Sequence, residues 1–232
     1  MEIDKILDEI KDRGIFRSIK RYSYDYDLES AKTVVRSIGE YRIPAFSIDS
    51  ENGFIYENLI KWVMGDSSFQ CLDPETKSQT TGRLDKGIFV AGNTGSGKSW
   101  ALEIMSAFSQ VDNIKFEIDG NFHKLSWGCY RADFICDEYA ATGQISKYKQ
   151  MPVLAVQDFG SEPQESLYMG NRFSVMRQII ETRGDHTDLI TLISSNYPLN
   201  HKYLKDTYGD RVISRLYEMC NYFELKGKDR RK

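Results

Sequence analysis

The stretch GNTGSGKS, Gly92 to Ser99, carries the spacing G-x-x-x-x-G-K-[ST] in full. Glycines so spaced let backbone N–H groups converge on phosphate oxygens, and a helix starting behind them adds its positive N-terminal end. Lys98 is expected to reach the β and γ phosphates and the Ser99 hydroxyl to ligate magnesium. Gly92, Asn93, Thr94, Gly95, Ser96, Gly97, Lys98, Ser99 and Trp100 are therefore the candidate cofactor-binding residues. A glycine-rich turn alone is a common surface feature, so its context decides. Here the apolar run GIFVA precedes the turn and a helix-compatible stretch, KSWALEIMSAF, follows it.

A second candidate is VLAVQDFGSEP, residues 153 to 163. Four apolar residues lead to Gln157 and Asp158, and a buried strand that ends this way can set a carboxylate beside a magnesium ion. Two registers are open. In one, Asp158 is the metal carboxylate. In the other, the neutral Gln157 takes that place and its oxygen reaches only magnesium-bound water.

These stretches need a scaffold to bring them together. From Gly87 onward, apolar strands alternate with helical patterns: GIFVA, IKFEI, VLAV and DLITLISS as strands, YRADFICDEYAAT and NRFSVMRQIIETRG as helices. The second helix is expected to stop at Gly184 as a C-cap. Residues 199 to 219 are expected to be mostly helical. This alternation predicts a mainly parallel sheet covered on both faces, with ligands beyond the carboxyl ends of its strands. Residues 66 to 86 read as a loop. Upstream, helical spacing over residues 2 to 13, from Leu28 to Ile38 and across FIYENLIKWVMG predicts three helices. The expected division is a helical, partner-binding segment over residues 1–50 and a nucleotide-binding domain over 51–232.

The order of GNTGSGKS, QDFGSEP, TLISSNYP and YGDRVISRLYEM resembles the AAA+ ATPases of the DnaC/DnaI helicase-loader and IstB transposition-helper group. The resemblance covers roughly residues 50 to 232 and implies an α/β P-loop fold of AAA+ type. It also implies ATP and Mg2+ as cofactors, with hydrolysis of ATP to ADP. Carried over onto these residues, Asn196 would position the attacking water. Arg215 would be an arginine finger donated to a neighbouring subunit, assisted by Arg211. Arg231, in GKDRR, would be a late sensor of nucleotide. The Gly160-Ser161-Glu162 tail anchors the alignment, putting Gln157 where the group has its magnesium-associated Asp and Asp158 at the catalytic acid. Binding should survive this substitution, because magnesium relies largely on phosphates and waters. Hydrolysis should be slow, with water activation and metal placement falling to Asp158 and Glu162.

The implied partners are a replicative helicase or a transposase, single-stranded DNA and further copies of the chain. Three functions fit: a helicase loader, an ATP-dependent transposition or mobile-element regulator, and an ATP-binding assembly scaffold with little turnover. Trp127, Tyr130 and Arg131 lie where related ATPases often contact DNA.

Composition excludes other classes. With 41% hydrophobic and 28% charged residues, the chain reads as globular, and its apolar runs are too short to span a membrane. The acid-rich start, MEIDKILDEIKDRG, is unlike a secretory or transit peptide. Four cysteines without a CxxC pair argue against a zinc site or a disulfide frame and fit a reducing cytoplasm. His123, His186 and His201 are isolated from metal-ligand partners. The C-terminal KGKDRRK is either a solvated end or, through Arg231, part of the site.

Overall fold

The runs GIFVAG, VLAVQDF and ITLISS are apolar at nearly every position, which suits strands covered on both faces. In the computed structural model they lie side by side at the centre of one sheet. The structure describes residues 3, 5, 6, 9, 17–227, 229 and 230. Most of the helix expected over residues 2 to 13 lies outside them, as does Arg231.

Among the described residues the elements run as follows. β1 (Ile19–Arg21) is followed by α1 (Leu28–Arg42), α2 (Gly53–Met64), β2 (Gln70–Leu72) and β3 (Gln79–Thr81). Next come β4 (Gly87–Gly92), α3 (Lys98–Val111), β5 (Lys115–Ile118), β6 (Asn121–Lys124) and β7 (Cys129–Arg131). Then follow α4 (Ala132–Thr142), α5 (Ser146–Gln150), β8 (Val153–Phe159), β9 (Ser166–Tyr168) and β10 (Asn171–Phe173). The chain continues through α6 (Val175–Gly184), β11 (Ile190–Ser195), α7 (Lys202–Tyr208), α8 (Asp210–Met219) and β12 (Cys220–Leu225).

The main sheet has the order β3-β2-β12-β4-β11-β8-β7. The last five are parallel, and β2 and β3 add an antiparallel edge. Alternate residues feed two cores. Ile88 and Val90 of β4 pack with α1, α2 and α3, while Phe89 and Ala91 pack with α4, α6, α7 and α8. The carboxyl ends of β4, β11 and β8 thus meet between two helical layers, where a ligand site is expected.

Several local expectations are revised. β12 was not foreseen, because the amphipathic α8 runs directly into it: Cys220 is both the helix cap and the first strand residue. Tyr130, Arg131 and residues 171–173 lie in stretches expected to be helical but fall in strands, and α4 and α6 begin only after them. The expected loop 66–86 contains the β2–β3 pair. IKFEI forms a strand, but in a separate antiparallel sheet, β1-β5-β6. Gly184 does not cap α6. It ends the helix itself, with Asp185 as the cap, and a Cβ there would lie 2.8–2.9 Å from the Arg215 side chain. Its small size makes room for that arginine.

Residues 17–50 do not stand apart from the rest. Ile19, Val35 and Phe46 are buried in the same cluster as Trp62, Ile88 and Leu102. Trp127 is also core. It is 8% exposed and donates its indole N–H to the Leu102 carbonyl at 3.1 Å, so it cannot stack on a nucleic acid.

Candidate nucleotide-binding site

The Gly92–Ser99 loop is shaped by its glycines. Gly95 and Gly97 have φ of +82° and +95°, a region that costs an ordinary L residue roughly 1–2 kcal/mol. Gly97 is also the N-cap of α3 and supplies no capping side chain. The first-turn N–H groups therefore keep their capacity for an anion. The Ser96 hydroxyl is buried with no hydrogen-bond partner among the described residues.

The loop forms one wall of a pocket of about 250 Å³. Thr94, Gly95, Gly97, Lys98, Ser99 and Trp100 come from the loop and helix; Arg131, Asp158, Ser161 and Asn196 come from the other strand ends. Lys98 is 5% exposed, and its ammonium donates to the Asn93 carbonyl at 2.8 Å and to Asn196 Oδ1 at 2.9 Å. The first motif and the residue from SSNYP are thus in direct contact. Asn196 follows directly on β11, which lies between the loop strand β4 and β8.

The end of β8 is irregular. Val156 pairs with Ile193 and Phe159 with Ser195, so Gln157 and Asp158 together face Ser194. Such a bulge re-aims side chains. Asp158 sits at φ 57°, a left-handed conformation that Asp tolerates better than most residues, and its N–H donates to Ser194 Oγ at 3.3 Å. Its carboxylate faces the pocket and meets Arg131 Nη1 at 3.3 Å. Gln157 is 7% exposed and turns toward α3. Its amide donates to Glu103 Oε1 at 2.7 Å and, at 3.4 Å, to the Ser99 carbonyl. Glu103 in turn forms an ion pair with Arg42 of α1.

Glu162 does not reach the pocket. One of its oxygens accepts the Gly160 N–H at 2.8 Å and the other the Tyr208 hydroxyl. Burial pushes its carboxyl above the usual range, against those hydrogen bonds, which favour the charged form. It braces the turn after β8 against α7 and is not placed to handle a metal or water. Arg211 and Arg215 are also outside the pocket. Arg215 pairs with Asp185 at 2.5 Å and Glu218 at 2.9 Å, and Arg211 lies 3.7 Å from Asp185.

Sequence reasoning missed three parts of this site. Arg131 was read only as a DNA contact; recognising 129–131 as a strand would have put it at the carboxyl edge. Glu103 lies one helical turn after Ser99 and carried no motif. The third is Arg230, next to the Arg231 that the resemblance pointed to: its N–H donates to the Gly95 carbonyl at 2.9 Å, and its guanidinium grips Asp49 with two hydrogen bonds of 2.9 Å. That grip holds the Asp49 carboxyl below its usual range. The tail buttresses the loop from outside the pocket.

Among the described residues no group of three or more His, Cys, Asp or Glu side chains is placed to hold a metal. Ser99 and Asp158 fit the other way of binding magnesium, in which phosphate oxygens and water complete the shell. The left-handed glycines, the uncapped helix start and the unpartnered Ser96 hydroxyl fit phosphate groups. Burial pushes the Cys129 thiol up to about 11 and Cys136 to about 12. Among the described residues no helix is long and apolar enough to cross a membrane.

Numbered in chain order, the parallel strands lie 5-1-4-3-2, with the phosphate loop after the first and Asp158 at the end of the third. This is a P-loop α/β fold, the fold that the resemblance of the motifs implies. No family model and no curated protein matches the chain. Among solved structures it is similar to a candidate primosome component from Streptococcus pyogenes serotype M3, at 17% identity and a TM-score of 0.53, over 84% of this chain and 97% of that one. It is also similar to the DnaC helicase loader, at 18% identity and a TM-score of 0.48, over 77% and 92% of the two chains. At these identities the likeness is one of fold.

Proposed function

We propose that the protein binds ATP with magnesium in this pocket, hydrolyses it slowly, and acts as an oligomer that helps place a replicative helicase on single-stranded DNA. The observation that carries the reading is the convergence of Lys98, Ser99, Asp158 and Asn196 from separate strand ends on one pocket. The loop N–H groups and Lys98 hold the phosphates. Ser99 and Asp158 hold the magnesium, which neutralises phosphate charge when bound. Lys98 releases Asn196 when it turns to phosphate, and Asn196 then orients the water. Asp158 takes the proton from that water once Arg131 lets go of its carboxylate. Arg215, outside its own pocket, serves the site of a neighbouring copy, with Arg211 beside it. The helicase reading is supported by the fold shared with the candidate primosome component and by the motif order, and residues 1–50 are its partner-binding segment.

A second reading, a nucleotide-controlled assembly scaffold with almost no turnover, is favoured by the Arg131–Asp158 ion pair and by the neutral Gln157. Calorimetric ATP titration of the full chain, with turnover measured beside a purified replicative helicase and oligo-dT, separates the two. Binding with stimulated turnover supports the loader. Binding without turnover under any condition supports the scaffold, and absence of ATP binding sinks both.

A further inference from the structure

The small sheet β1-β5-β6 has one buried face and one open face. Ile19 pairs with Ile118 and Arg21 with Phe116. These turn inward: Phe116 is fully buried, and Arg21 donates to the carbonyls of Trp62 and Val63 at 2.7 and 3.0 Å. The alternate residues turn outward. Lys20 pairs with Glu117, Glu117 with Phe122, and Lys115 with Lys124. Tyr22 continues the outward alternation of β1 and lies beside Phe122, ring centroids 5.8 Å apart.

Among the described residues the open face therefore carries two neighbouring aromatic rings, three lysines and a single acid. Phe122 is 63% exposed. Glu117 is engaged locally: it accepts the Tyr22 hydroxyl and lies 3.8 Å from the Lys20 ammonium. Lysines on edge strands can serve only to prevent edge-to-edge pairing, but Lys115 is on the central strand, β5, where that need does not arise. The β5–β6 turn is a two-residue Asp119-Gly120 turn with φ of 49° and 79°, which fixes the hairpin. Arg17 pairs with Asp119 at 3.2 Å, so the turn presents little free negative charge.

We propose that this face binds single-stranded nucleic acid, with a base stacked on Phe122 beside Tyr22 and the backbone drawn along Lys115, Lys124 and Lys20. Exposed rings flanked by cations are what a strand with free base faces and a charged backbone requires. The proposal rests on the reading above for its single-stranded partner but not for its site. It moves the aromatic contact from Trp127, which is buried, to Phe122.

The test is fluorescence anisotropy of the full chain with labelled oligo-dT and oligo-U at several salt concentrations. Phe122→Ala should weaken binding about tenfold, within the range of one lost stack, and Phe122→Trp should retain it. Lys115→Gln with Lys124→Gln should reduce the salt slope by about 1 to 1.5. Glu117→Gln should tighten binding, a gain that damage to the fold would not produce. ATP affinity of the same preparations should stay unchanged. Wild-type binding that survives in both the Phe122→Ala and the double-lysine variants would overturn the platform while leaving the single-stranded partner standing. A wild-type chain that binds neither oligonucleotide would overturn both.

Discussion

The phosphate loop and the end of β8 face each other across one pocket, but they hold their groups by opposite means. The loop presents backbone N–H groups, and its shape follows from residues that tolerate a left-handed backbone, Gly95 and Gly97. Almost any side chain at these positions would distort it. The end of β8 presents side chains, and their directions follow from a bulge set by its neighbour β11. Asp158 and Gln157 are adjacent in sequence, yet one faces the pocket and the other the flank of α3. A backbone device is specified locally; a side-chain device depends on how two strands meet.

The largest expected effect lies outside both regions. If the pocket depends on a cation from another copy, Arg215→Ala should bind ATP normally but lose turnover by about a thousandfold to a hundred-thousandfold. Mixing it with Lys98→Ala should restore activity, since the latter keeps its own Arg215. Turnover measured against protein concentration checks this. Activity that is independent of concentration, with no rescue in the mixture, removes the finger and leaves the chemistry to the two regions compared here.

Asp158→Asn tests the strand end directly. Asn tolerates the left-handed conformation as well as Asp does, so folding should be unchanged while the base is lost. Turnover should fall by about a hundredfold to ten-thousandfold. Asp158→Val, which strains that backbone, should lower the melting temperature as well. Equal melting of the two variants would mean that the bulge is not fixed by residue 158.

Lys98→Ala tests the opposite wall. Removing a charged donor to phosphate should weaken ATP binding by about ten- to a hundredfold, read by calorimetry. Unchanged affinity would break the reading of the loop itself.

The same contrast explains what the sequence revealed. The cradle with its flanking strand and helix was legible because each part is a local pattern: glycine spacing, an apolar run and a helical stretch. Asn196 was singled out only by the resemblance, and its contact with Lys98 depends on how β4 and β11 lie side by side. The register of Gln157 and Asp158 was not legible, because Ser194 decides it from another strand. Glu162 looked catalytic by its place in a motif and proved to be a buried brace to Tyr208. Arg131 was given to DNA rather than to the pocket because Tyr130 and Arg131, the last two residues of β7, look like the start of the helix that follows. β12, next to the loop strand at the centre of the sheet, was missed because α8 leads into it without a turn.

The smallest effect concerns why residue 157 is neutral. An acid there would be acceptor-only, would lose the 2.7 Å hydrogen bond to Glu103 and would set two carboxylates side by side in a site 7% exposed. Arg42 can serve one of them, and its own side chain is 40% exposed, so its compensation is partial. Gln157→Asp should therefore melt lower than the wild type and gain no turnover, although it supplies the carboxylate common at this position in the AAA+ group that the motifs resemble. Adding Glu103→Gln removes the repulsion and gives the new acid a donor. The double variant should recover its melting temperature and exceed Gln157→Asp in turnover, with a coupling of about 1 kcal/mol, or roughly fivefold. Glu103→Gln alone should change turnover little. If the two substitutions prove additive, the neutral amide is not there on account of Glu103, and the strand end answers to the metal alone.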